Sequence, residues 1–265
     1  MSQPAADASP VILTEIVERI GIITLNRPAT RNALNGPLIA ALDGAVRDMA
    51  ADTDAKVVVL TGAAAEGRHG GFCSGGDVKG TPPGTPGTEL AVPPDPFSGD
   101  LARHDRHAAM LLHLMPKPTI AMVGGPAVGA GCSLAAACDL RFASDDAVFA
   151  TNFTPNGLSG DYGGSFLWTR IVGTGRAREL YLLNDRIPAA RALELGMVHA
   201  VVPASELRAH TLEVARRLTR TPAALLALVK DNLNAAEDDL ERRRILFAHE
   251  ARNQSEAGRR MRERA

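Results

Sequence analysis

Residues 118–144 read PTIAMVGGPAVGAGCSLAAACDLRFAS. PTIAMVGG is a continuous apolar run closed by two glycines, which reads as a buried strand. PAVGAGCSLAAACD follows as a glycine turn running into an alanine-rich helix, and DLRFAS opens the next short strand. A strand, a turn, a helix and a strand in close succession are the local signature of an α/β core.

The same grammar extends outward. KVVVLTG (56–62) is a second buried strand, again leading into a glycine-rich stretch, AAAEGRHGGFCSGGD (63–77). VILTEIV (11–17) and GIITLNR (21–27) are short and β-branched and predict a hairpin about Glu18 and Arg19. Leu38, Leu42, Ala45, Val46 and Met49 recur at helical spacing over 37–51, with Pro37 suited to the first turn. A further helix is expected over 100–115, and AVFAT (147–151) reads as a strand. GTPPGTPGTELAVPPDPFSG (80–99) carries too many prolines and glycines for a helix or central strand, and is expected to be a flap. Beyond residue 165 the chain reads as helical throughout, with Leu207, Thr211, Val214 and Leu218 on one face of 206–220. The expectation is an α/β core with a helical appendix from about residue 200.

The composition narrows the class. The chain has 265 residues, 45% of them hydrophobic and 22% charged, and a net charge of -1. That balance fits an ordinary soluble domain and points to neither a nucleic acid nor a membrane surface. Cys73, Cys132 and Cys138 are odd in number and without zinc-site spacing, as in a reduced interior. The first ten residues show no signal peptide and no segment is long enough to span a bilayer, so a cytoplasmic location is expected.

Two buried strands that each end in a glycine turn, GGFCSGGD (70–77) and GAGCS (129–133), can point backbone N–H groups at one ligand. No Gly-Lys-Ser/Thr is present, which excludes the nucleotide P-loop, and Gly129 and Gly131 lack the rest of a dinucleotide fingerprint. The remaining target is a carbonyl oxygen that gains negative charge.

NRPATRNALN (26–35), GGFCSGGDVK (70–79), GGPAVGAGCSLAAACDLRFAS (124–144) and the stretch 163–203 resemble, in order, the enoyl-CoA hydratase/isomerase, or crotonase, family. The resemblance covers roughly residues 11–235. It implies an α/β spiral of ββα units over 11–200 and a C-terminal helical trimerisation region over 201–265. It places an oxyanion hole at the N–H groups of Gly76 and Ala130; alanine serves where glycine is common, provided its φ is negative. It places CoA against Arg31, Ala33, Ser74, Asp77, Val78 and Lys79, with Asp77 more suited to holding its own loop than to touching substrate. It implies a homotrimer or dimer of trimers, an acyl-CoA substrate, and no metal or other cofactor.

The chain departs from the family's hydratases at the two glutamates that activate water. Ser133 and Phe153 stand at those positions, and neither can exchange a proton as a carboxylate does. GLSGDYGGS (157–165), which lines the acyl pocket in the family, instead supplies Asp161. Dienoyl-CoA isomerases use an aspartate there for proton transfer, and 4-chlorobenzoyl-CoA dehalogenases use one as a nucleophile. The apolar neighbours Tyr162, Phe153, Phe166 and Trp168 are expected to raise the pKa of Asp161. The reading is an acyl-CoA enzyme with Asp161 as acid/base, favouring isomerisation over hydration. Its alternatives are hydrolase, lyase or dehalogenase chemistry through Asp161, and a catalytically weak acyl-CoA-binding protein. His104 and His107 read as structural or solvent-facing, and Cys73 as a small buried residue.

Overall fold

The computed structural model describes residues 9–68, 70–77, 107–237, 248–250 and 252–253. Val78, Lys79, His104, the 80–99 flap and residues 100–106 of the expected 100–115 helix lie outside these residues.

Strands β1 (Ile12–Val17) and β2 (Ile20–Leu25) pair antiparallel. Glu18 and Arg19 turn the chain with φ values of 51° and 66°. Two successive positive φ values are what a two-residue hairpin loop of type I′ requires. Helix α1 (Gly36–Ala51) starts where the Asn35 side chain accepts the Leu38 N–H at 3.1 Å, and it buries Leu38, Leu42, Ala45, Val46 and Met49. Strand β3 (Val57–Gly62) is buried along its whole length.

From β3 onward the chain alternates between two sheets. Helix α2 (Ala108–Leu114) precedes β4 (Thr119–Val123), β5 (Ala127–Val128) and helix α3 (Ala130–Ala137). Strands β6 (Leu140–Ser144) and β7 (Val148–Ala150) precede helix α4 (Gly164–Leu183). Each ββα unit thus gives its first strand to one sheet and its second to another. The larger sheet runs β1-β2-β3-β4-β6-β9, with β9 at Ala200–Val202, and the smaller runs β5-β7-β8, with β8 at Ile187–Pro188. From β2 onward the larger sheet is parallel.

The final third therefore departs from the expectation that everything beyond 165 is helical. β8 and β9 are strands, separated by helix α5 (Ala189–Glu194). β9 has only three residues, too few to show a period of two, and it is held by parallel pairing to β6. Helix α6 (Leu207–Thr219) and helix α7 (Ala223–Glu237) follow.

A parallel sheet covered on both faces needs apolar residues on both sides of each strand. Val58, Leu60, Ala121 and Val123 face a core shared with α1, α2, α3 and α4, whereas Val57, Val59, Ile120 and Met122 face Leu207 and Ala215 of α6. Every residue of α3 is buried, which its four alanines and one glycine make sterically feasible. Lys230 of α7 is buried and reaches the carbonyls of Leu112 and Lys117 and the Asp139 carboxylate at 2.8 Å. That buried charge is thus fully paired, and it pins α7 beneath α2.

Candidate active site

The two glycine turns come together because the 71–76 segment runs beside β5. Cys73 bridges Ala127, with Cys73 N–H donating to Pro126 O at 3.1 Å and Val128 N–H to Cys73 O at 2.9 Å. The approach demands glycine at two points. At Gly131 an added Cβ would collide with the Cys73 carbonyl, and at Gly75, whose φ is 92°, it would lie 2.8 Å from the Val128 carbonyl.

On its other side the segment pairs with Leu34. Leu34 N–H donates to Gly75 O at 2.8 Å, and Asp77 N–H donates to Leu34 O at 2.9 Å. Those bonds use the residues flanking Gly76, so the Gly76 N–H is directed away from Leu34. Gly76 is exposed, and a Cβ there would meet no atom within 4 Å. Ala130 is the first residue of α3, whose leading N–H groups have no acceptor inside the helix. The positive φ here belongs to Gly129 (55°), not to Ala130. Alanine at 130 therefore sits in a conformation open to any residue and keeps its N–H.

The 27–35 loop is locked to the 74–77 segment. Arg27 Nη2 pairs with Asp77 Oδ2 at 3.0 Å, and Arg27 Nη1 donates to the Ala33 carbonyl. Asn32, buried and at φ 57°, accepts the Arg27 N–H and donates to Ala63 O. Ser74 donates its hydroxyl to Thr30 O, and Arg31 is exposed beside it at φ 53°. Asp77 is thus engaged in its own loop, and the Ala33 carbonyl already has one donor. Arg27 was missed by the sequence reading, which took Arg31 as the arginine of that motif.

Asp161 lies in the turn that leads into α4. It is partly buried, and its Oδ1 accepts the Tyr162 N–H at 2.8 Å. Burial raises its pKa from 3.8 to about 7, against the lowering effect of that hydrogen bond. The turn is conformationally demanding: Tyr162 has φ 55°, Gly160 149° and Gly163 70°. Tyr162 is buried, with its ring edge-on to His107 at 5.7 Å. Ser133 is buried with its hydroxyl 3.5 Å from Gly129 O, and Phe153 stacks on Tyr181 at 6.0 Å. The missing-glutamate positions are therefore filled by a small hydroxyl and an aromatic face.

Two groups in this neighbourhood had no sequence signal. Tyr181, on α4, brings its hydroxyl beside Ser133 Oγ and the Cα of Gly164. Glu250, in a charged stretch like many surface helices, is buried and accepts the Ser165 N–H at 2.9 Å. Burial raises its pKa from 4.5 to about 7. The three thiols are buried and pushed to about 12, so none is a thiolate nucleophile near neutral pH.

Comparison with known proteins adds a family to this geometry. The family model for enoyl-CoA hydratase/isomerase matches residues 15–263. A 1,2-epoxyphenylacetyl-CoA isomerase from Escherichia coli is 34% identical over 228 residues, covering 85% of this chain and 82% of that one. A probable mitochondrial enoyl-CoA hydratase from Dictyostelium discoideum is 32% identical over 225 residues, covering 84% and 75%. The crystal structure of an enoyl-CoA hydratase from Mycobacterium avium superposes with a TM-score of 0.77 at 33% identity, covering 95% of each chain.

Proposed function

The chain belongs to the enoyl-CoA hydratase/isomerase family, and from that premise we propose that it moves a proton between carbons of an acyl-CoA thioester. The N–H groups of Gly76 and Ala130 hold the thioester oxygen. Asp161 removes a proton from carbon, the electron pair passes into the thioester as an enolate, and the Asp161 carboxylic acid returns the proton at another carbon. The double bond shifts, and no atom is gained or lost. The observation that carries this reading is a partly buried carboxyl in the turn before α4, with its pKa lifted to about 7, in the chain that lacks both water-activating glutamates. A carboxyl titrating near the working pH both takes and gives a proton readily.

CoA is taken to run along Arg31, Ala33 and Ser74, with Asp77 holding that loop through Arg27 and with Val78 and Lys79 beyond it. Ser133 and Phe153 face the acyl group, and CoA itself is substrate rather than cofactor. Titration with acetoacetyl-CoA is expected to saturate, whereas free acetoacetate is expected not to bind. Equal weak binding of the two would overturn the site assignment. Turnover of enoyl-, dienoyl- and aromatic acyl-CoAs then separates an isomerase from a hydratase and from a binding protein.

Residues 11–200 are taken as the acyl-CoA core and 201–265 as the oligomerisation region. Leu225, Leu228, Val229 and Leu233 form one exposed apolar face of α7, 47% to 63% accessible each. A monomer rarely leaves such a face uncovered. A trimer, or a dimer of trimers, is the expected species in sedimentation; a stable monomer at micromolar concentration would contradict it.

A further inference from the structure

The turn that carries Asp161 is held from outside by a residue that no sequence motif marks. Glu250 Oε1 accepts the N–H of Ser165, at the end of the turn. At the other end, a methyl group at Gly160 would lie 2.7 Å from the same oxygen. One carboxyl therefore touches both ends of 160–165, the six residues that contain Asp161. The turn needs such a hold, because Tyr162 takes up a left-handed conformation that a side chain disfavours. Glu250 Oε2 is buried and has no hydrogen-bond partner among the described residues. A buried polar atom without a partner is costly and calls for an explanation beyond anchoring.

We propose that Glu250 is the positioning residue for Asp161: it clasps the 160–165 turn and pairs electrostatically with the Asp161 carboxyl, so that the two carry a single negative charge between them.

The surroundings support a shared charge. Among the described residues, Tyr181 from α4 interacts with both carboxyls and Tyr162 from the turn itself interacts with Asp161, while Cys132 from α3 lies against Tyr181, and Asp43 from α1 and Cys73 lie against Tyr162. His107 stands edge-on to Tyr162, and burial lowers its pKa. At neutral pH none of these described groups brings a positive charge. Two carboxyls without a cation between them cannot both ionise cheaply. Both are raised to about 7, and the charge of Asp161 is one cause of the rise at Glu250. Such groups titrate as a pair. When Asp161 takes a proton from carbon, the negative charge passes to the enolate, Glu250 keeps its proton, and the pocket holds one charge throughout.

This inference rests on reading Asp161 as the acid/base, so its test includes a readout without substrate. Infrared titration of the full-length protein follows the protonated carboxyl band across neutral pH, in wild type, Glu250→Gln and Asp161→Asn. The glutamine keeps an oxygen for the Ser165 N–H but carries no charge. In Glu250→Gln the Asp161 band is expected to titrate at least about one pH unit lower, and in Asp161→Asn the Glu250 band shifts down likewise. The acid limb of the kcat/KM profile moves down with Glu250→Gln, while KM changes little. Bands and acid limb left at their wild-type positions, with only a uniform loss of activity or melting temperature, would reduce Glu250 to a structural anchor and overturn the proposal. If the bands shift but Asp161→Asn stays active, the pairing stands and the catalytic reading of Asp161 fails.

Discussion

Asp161→Asn is expected to lower kcat by about 10²–10⁴-fold, the range that general acid–base groups contribute. The amide preserves the shape of the carboxyl and still accepts the Tyr162 N–H, but it cannot exchange a proton at neutral pH. CoA affinity should hardly change, because the 27–35 and 74–77 loops lie apart from this turn in the chain and are fixed by Arg27, Asp77 and Asn32. Ser133→Ala, as the comparison, should cost less than about tenfold, since a lone hydroxyl is not a base in this range. Retention of more than about a third of wild-type kcat in Asp161→Asn would make it a turn residue.

The pH dependence follows from the same carboxyl. The base form is needed, so kcat/KM should rise with pH through about 7. Stability should move the other way. The folded-state pKa lies above the ordinary 3.8, so the contribution is complete below about pH 4 and is lost as pH rises through about 7. Asp161→Asn should therefore unfold less readily than wild type at pH 8, by roughly 2–4 kcal/mol at about 1.36 kcal/mol per pKa unit. The gap should close towards pH 4. Activity and stability changing in opposite directions at one residue is the mark of a group buried for function.

Ala130→Pro is expected to have the second large effect, about 10²–10³-fold in kcat. Proline suits the first position of a helix, and Ala130 occupies that position in α3. Gly129 before it has no Cβ to clash with the proline ring. The substitution replaces the N–H with a ring methylene, so it removes the donor and crowds the oxygen it held while leaving the helix start intact, which distinguishes it from Gly131→Ala, where the new methyl would press on the Cys73 carbonyl and part the two turns. Near wild-type kcat in a folded Ala130→Pro protein would remove Ala130 from the oxyanion hole. Circular dichroism and the melting temperature establish that the fold is intact.

Much of the architecture was legible because its signals are local. Leu38 to Met49 spell one helical face, and KVVVLTG can only be a strand covered on both sides. β8 and β9 were missed because two- and three-residue strands carry no period of their own; pairing with β7 and β6 defines them. The glycine turns were legible because unusual backbone needs unusual residues, whereas Asp161 was singled out by the family resemblance. Arg27 was hidden beside the more conspicuous Arg31, and its role appears only when residue 77, fifty positions on, folds against it. Glu250 was illegible for a stronger reason. Nothing in a run of charged residues distinguishes one that turns inward, and its partner Ser165 lies 85 residues earlier. Long-range contacts of this kind are products of the fold rather than of local sequence.

The most direct measurement is hydrogen exchange on the substrate itself. An acyl-CoA that binds is incubated in heavy water with wild type and with Asp161→Asn, and loss of the carbon-bound proton next to the thioester is followed by NMR. Wild type is expected to exchange that proton with solvent, whereas Asp161→Asn should do so at least about 100-fold more slowly while binding the ligand equally well. Equal exchange by the two proteins would contradict the assignment of proton transfer to Asp161.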